Sequence, residues 1–102
     1  MAVLTITKDN FQKEVLENEK TVLLDFWASW CGPCRMLSPI VDQVADERTD
    51  IQVGKVNVDE QPELASQFRV MSIPTLIVFK GGKAVNQSVG AVPKERVLAL
   101  LD

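Results

Sequence analysis

The run Val22-Leu23-Leu24-Asp25-Phe26-Trp27 is apolar on both alternating faces except for one carboxylate, the pattern of a central strand covered by helices on each side. Upstream, Val3 to Ile6 predicts a short strand. Thr7 then stands as N-cap of a helix through Glu17, with Phe11, Val15 and Leu16 apolar at helical spacing and Asn10 completing only part of a capping box. Asn18 to Lys20 is a polar break. Farther on, Leu37, Ile40, Val41, Val44 and Ala45 fall at i, i+3, i+4, i+7 and i+8, which predicts a helix to about Arg48. Pro39 lies inside it and predicts a kink, not a stop, because the periodicity continues through it. Ile51 to Val58 reads as another strand, carrying Lys55, and Pro62 to Phe68 as a short helix with its proline in the first turn. The apolar strand Leu76 to Phe79 meets Gly81-Gly82, a two-residue hairpin turn into Ala84 to Val89. A last helix from near Pro93 buries Val97, Leu98 and Leu101.

The elements therefore run βαβαβα and then ββα. Alternation in the first half predicts parallel strands, and the hairpin adds an antiparallel pair. The expected fold class is α/β, a mixed five-stranded central sheet flanked by four helices. No repeats, linkers or low-complexity segments interrupt the 102 residues, and the length suits one domain spanning residues 1–102.

Composition removes several classes of function. Hydrophobic residues at 46% and charged residues at 25% match a globular chain and not a disordered one. The apolar runs are strand-length, well short of the ~20 residues that cross a bilayer, so no membrane role is expected. A net charge of −3 without a basic cluster argues against nucleic acid as a partner. Met-Ala-Val-Leu-Thr lacks the basic and long apolar regions of a secretory signal, so a cytoplasmic, reducing location is expected, a processed organellar form being the other reading.

In a reducing compartment the two cysteines, Cys31 and Cys34, point to catalysis or metal binding. As a staple the pair would be poor, since closing a ring of about four residues gains only about 2 kcal/mol against about 5 for a ~100-residue loop. Two cysteines without a histidine cannot supply the four ligands of a structural zinc within one chain, which leaves a metal or iron–sulfur site only to a dimer. The pair falls where a strand hands over to a helix, and unpaired N–H groups there favour a thiolate. Between the sulfurs, Gly32 presents no side chain to a substrate and Pro33 stiffens the loop.

A Cys-x-x-Cys beside a βαβ pattern is a thioredoxin-like redox signature. The rest of the chain agrees with it: Asp-Phe-Trp-Ala-x-Trp-Cys-Gly-Pro-Cys at 25 to 34, Lys55, Ile73-Pro74-Thr75, the Gly81-Gly82 hairpin and Val89-Gly90-Ala91. Over nearly its whole length the sequence resembles the bacterial-type thioredoxin family, departing in its lack of histidine and tyrosine and in beginning close to the first strand. The resemblance implies the thioredoxin fold and a small, monomeric dithiol protein that reduces disulfides in multiple protein substrates. It also implies recycling by a thioredoxin reductase and no cofactor beyond the redox-active Cys31–Cys34 disulfide.

On this reading Cys31, nearer the solvent, attacks as thiolate and Cys34 resolves the mixed disulfide. The neutral Gly32-Pro33 pair points toward a reductant over a disulfide oxidase or isomerase, because a cation there would make the disulfide more oxidising. Arg35 is expected to face solvent. Asp25 is open between a salt-bridged or edge carboxylate and a buried proton acceptor for Cys34; the resemblance favours the latter, with Lys55 as its electrostatic partner, although a strand lysine is ordinarily on the solvated face. Pro74 reads locally as a loop proline; the resemblance implies a cis Ile73-Pro74 bond facing the cysteines, with the Ile73 backbone pairing an extended substrate. Trp27 suits the core. Trp30 is expected in an exposed docking patch with Gly32, Pro33, Ile73, Pro74, Gly90 and Ala91, although Gly90 equally suits a turn. A function of another class stays open, a stoichiometric subunit of a larger complex whose thiols are incidental.

Overall fold

The strand predicted over Val22 to Trp27 is the centre of the molecule. In the computed structural model, which describes residues 3–102, β2 (Thr21–Trp27) pairs in parallel with β3 (Ile51–Asn57) and antiparallel with β4 (Thr75–Lys80). β1 (Val3–Thr5) lies parallel beyond β3, and β5 (Lys83–Val89) antiparallel beyond β4, so the sheet order is β1-β3-β2-β4-β5. Helices α1 (Gly32–Glu47), α2 (Pro62–Gln67) and α3 (Lys94–Leu100) and a π-helical segment, Gln12–Leu16, complete the fold.

The two apolar faces of β2 build two cores. Leu23 packs with Leu37, Val41 and Val44 of α1 and with Val97 and Leu100 of α3. On the other face, Val22, Leu24 and Phe26 pack with Phe11, Val15, Leu64 and Phe79. Asp25 shares the strand face of Leu23, because alternate residues point the same way, and so it looks toward α1. α1 runs through Pro39 without interruption. Val97 of α3 and Leu101 just after it are buried as expected, but Leu100 takes the buried place assigned to Leu98, which packs only partly against the α1-side core.

The first helix departs from its sequence pattern. It starts later than Thr7, with Phe11 as N-cap and no side-chain cap bond, and Thr7 and Asn10 instead brace the turn before it, the Thr7 N–H donating to Asn10 Oδ1 (2.8 Å) and the Asp9 N–H to Thr7 Oγ1 (3.2 Å). The chain then widens, and the Glu17 N–H donates to the Gln12 carbonyl, an i to i−5 bond. The wider turn suits side chains four apart, and Phe11 and Val15 are both buried, the Phe11 ring lying 5.4 Å from that of Phe68. Against the end of this segment sits the hairpin turn. Gly81 and Gly82 have φ of 60° and 79°, and a Cβ on Gly82 would lie 2.7 Å from the Leu16 carbonyl oxygen. Only glycine fits that approach.

Candidate active site

β2 ends at Trp27, and Ala28-Ser29-Trp30 carries the chain directly into α1, whose N-cap is Cys31. Pro33 occupies the first turn, where its missing N–H leaves no bond unmade. Cys31 is extended (φ −91°, ψ 111°), which turns its sulfur back over the helix start to accept the Cys34 backbone N–H at 3.2 Å. Cys31 and Cys34 are joined as a disulfide, with their Cα atoms 5.3 Å apart.

Greater exposure of Cys31 is not what the structure has. Each cysteine is 4% exposed, the two forming a buried cluster with Ala28 against which Trp27, Val58 and Ile73 pack. Their surroundings are what differ. Cys31 receives the helix N–H and lies 3.7 Å from the Ile73 carbonyl oxygen, whereas Cys34 borders a cavity of about 340 Å³ with Asp25, Trp27, Arg35, Ser38 and Lys55.

Asp25 is the buried acid of the two readings, 1% exposed, and its Oδ1 has no hydrogen-bond partner among the described residues. Loss of hydration raises its pKa to about 6; the Lys55 ammonium offsets part of the rise and the Asp42 carboxylate adds to it. Lys55 stands directly opposite Asp25 in the β2–β3 register. Its side chain is neither on a solvated face nor bonded to Asp25: Nζ donates to Ser38 Oγ at 2.7 Å and forms its ion pair with Asp42 at 3.1 Å. Its influence on Asp25 is thus through space. Arg35 is exposed as expected, and its Nη2 donates to the Ser29 carbonyl at 2.8 Å, tying α1 to the loop before Cys31.

The docking residues read from the sequence divide. Trp30, Gly32, Pro33 and Ala91 are exposed, Ile73 and Gly90 half-buried, and Pro74 buried. Trp27 is half-buried and borders the cavity. A Cβ on Gly32 would meet nothing within 4 Å, so the surface over the disulfide is open there. The Ile73-Pro74 bond is cis, and Ile73 packs against the cluster that holds the two cysteines. Gly90, with φ of 95°, donates its N–H to the Pro74 carbonyl at 2.8 Å, which joins the two distant loops.

Three polar residues missed in the sequence belong to this neighbourhood. Ser38 and Asp42 follow Cys34 at i+4 and i+8, one stripe of α1, a signal that the spacing offers. Asp59 carries no such signal; its Oδ2 accepts the Trp30 indole N–H at 2.9 Å and orients a ring that is 66% exposed. Met36 and Met71 are also exposed. Among the described residues, no three His, Cys, Asp or Glu side chains group as a metal would need, and no helix is long and apolar enough to cross a membrane.

The sequence matches the Thioredoxin family model over residues 2–102. It is 52% identical to the thioredoxin of Alicyclobacillus acidocaldarius subsp. acidocaldarius over 101 residues, covering 98% of this chain and 95% of that one. Identity to the thioredoxin of Chlorobaculum thiosulfatiphilum is 50%, covering 94% of this chain and 90% of that protein. With thioredoxin 1 of Nostoc sp. (strain PCC 7120 / SAG 25.82 / UTEX 2576) it is again 50%, with 99% and 95% covered.

Proposed function

The chain belongs to the thioredoxin family and is a thiol-disulfide oxidoreductase that reduces protein disulfides; from that premise we propose how its residues divide the work. Cys31 is the attacking nucleophile. In the reduced protein its thiolate displaces one sulfur of a substrate disulfide; the substrate S–S bond breaks, a Cys31–substrate bond forms, and the released sulfur takes up a proton. Cys34, its proton passed to Asp25, attacks the Cys31 sulfur. The second substrate sulfur leaves as thiolate, and the Cys31–Cys34 disulfide forms. Two electrons have moved to the substrate.

The observation that carries this division is the asymmetry around the two sulfurs: the Cys34 N–H donates to Cys31, while Cys34 borders the cavity of the buried Asp25. A donor at a helix start favours negative charge on the sulfur that receives it. A carboxyl with pKa about 6 is an acceptor suited to proton transfer near neutrality.

Trp30, Gly32, Pro33 and Ala91 form the exposed part of the substrate surface, and the Ile73 and Gly90 backbones line its inner edge. Pro74 acts from beneath by supporting both loops. The protein works as a monomer of one domain, residues 1–102, in the cytoplasm, on multiple disulfide-containing proteins, and a thioredoxin reductase returns two electrons to it. It carries no cofactor besides its own disulfide.

The test is reduction of a protein disulfide by the wild type and by a Cys31→Ser, Cys34→Ser double variant, with binding to the same substrate measured in parallel. Turnover lost with the fold intact supports the reading. Undiminished partner function in the double variant would establish a stoichiometric subunit instead.

A further inference from the structure

Lys55 has a longer reach and more freedom than its place in the structure uses. A lysine carries a strongly hydrated charge on a flexible four-carbon stem, and its ordinary behaviour on a strand is to extend that charge to water. Here the side chain is only 20% exposed. The ammonium is held against α1 by Ser38 Oγ at 2.7 Å and Asp42 Oδ1 at 3.1 Å, two residues one helical turn apart on the same stripe.

That placement matters because of what lies beside it. Asp25 faces Lys55 across the β2–β3 register, and Asp25, Ser38 and Lys55 line one cavity with Cys34. A direct Lys55–Asp25 ion pair would hold the carboxylate charged and make it a poor proton acceptor. An ammonium released to water would exert little field on a buried carboxyl. The clamp avoids both extremes, keeping the cation close but bonded elsewhere.

We propose that Ser38 and Asp42 are positioning residues for the disulfide exchange: by clamping the Lys55 ammonium at the cavity, they set the strength of its hold on the Asp25 carboxyl. The inference deepens the assignment of Asp25 as proton acceptor and rests on it. The charged groups facing this site are Lys55 from β3 and Arg35 and Asp42 from α1, and the Cys34 thiol joins them in the reduced protein. On β4 the residue opposite Asp25 is the apolar Leu76. Asp42 plays two parts, holding the cation and repelling the Asp25 charge, so Ser38 gives the cleaner test.

The experiment follows the Asp25 carboxyl carbon by NMR against pH in the oxidised full-length protein, where neither cysteine titrates. Wild type, Ser38→Ala, Ser38→Thr, Lys55→Met and the Ser38→Ala, Lys55→Met double variant are compared. Ser38→Ala should raise the Asp25 midpoint by a few tenths of a pH unit as the ammonium escapes to water, Ser38→Thr should restore the wild-type value, and Lys55→Met should raise it further. In the Lys55→Met background Ser38→Ala should shift nothing, since the hydroxyl acts through the lysine. An unchanged or lowered midpoint in Ser38→Ala overturns the clamp, as does a rise that persists undiminished without Lys55. Should Asp25→Asn reduce substrate at the wild-type rate, the role of Asp25 as proton acceptor falls, while the titration still decides whether Ser38 positions Lys55.

Discussion

The backbone N–H of Cys34 donates to the sulfur of Cys31 across 3.2 Å, so the proposed resolving residue supports the proposed attacking one before any substrate arrives. The two cysteines are equally buried, and this bond separates their roles where exposure does not. In the reduced protein, limiting alkylating reagent should therefore modify Cys31 well ahead of Cys34. Mass mapping of the singly modified product checks this; preferential labelling of Cys34 would reverse the assignment.

Asp25 gives a pH-dependent stability. Its folded pKa of about 6 lies above the ordinary value of 3.8, so the folded state binds the proton more tightly than the unfolded state. Stability from the neutral buried acid is full below about pH 4 and is lost as pH rises to about 6. Above that, the wild type carries a burial cost of about 3 kcal/mol, at about 1.4 kcal/mol per pH unit. Asp25→Asn should be more stable than wild type by up to that amount at pH 7 to 8, gain nothing near pH 3.5, and resolve mixed disulfides more slowly. Urea unfolding at the two pH values provides the measurement, and a gain of equal size at both would remove the titration as its cause.

Asp59 holds Trp30 by a bond that fixes orientation more than stability. Asp59→Ala should change unfolding free energy by less than about 0.5 kcal/mol, as is usual at exposed positions. Reduction of a protein disulfide should slow several-fold, mainly through KM, because the exposed indole would no longer be held over the docking surface. Steady-state kinetics with indole fluorescence check both parts; unchanged KM would remove Trp30 orientation from substrate binding.

Gly82 offers a control far from the sulfur chemistry. With φ of 79° and the Leu16 carbonyl 2.7 Å from where a Cβ would sit, Gly82→Ala should destabilise by more than about 1 kcal/mol. Gly81→Ala, with positive φ but open space around it, should cost less. Denaturant midpoints rank the two, and the reverse order would mean that backbone strain, not the contact with Leu16, dominates.

Much of this molecule is legible in its sequence because the signals are local. The doubly apolar run of β2, the helical repeat after Cys34 and the paired glycines each act within a few residues of themselves. The family motifs also favour a buried Asp25, and its side chain is buried. What stayed hidden depends on residues far apart in the chain. Lys55 meets Ser38 across 17 positions and Trp30 meets Asp59 across 29, and no local pattern encodes such partners. The equal burial of the cysteines reflects Val58 and Ile73 closing over them from other elements. The widened turn at Gln12–Leu16 was concealed differently, since apolar spacing of four suits an α-helix and a π-helical turn alike.

The division of labour between Cys31 and Cys34 is the central claim, and trapping tests it most directly. Cys34→Ser and Cys31→Ser proteins, each reduced and mixed with a disulfide-bonded protein substrate, would be quenched in acid and mapped by mass spectrometry. Cys34→Ser should accumulate a stable mixed disulfide through Cys31, and Cys31→Ser should accumulate little or none. A stable adduct through Cys34, with none through Cys31, would contradict the account.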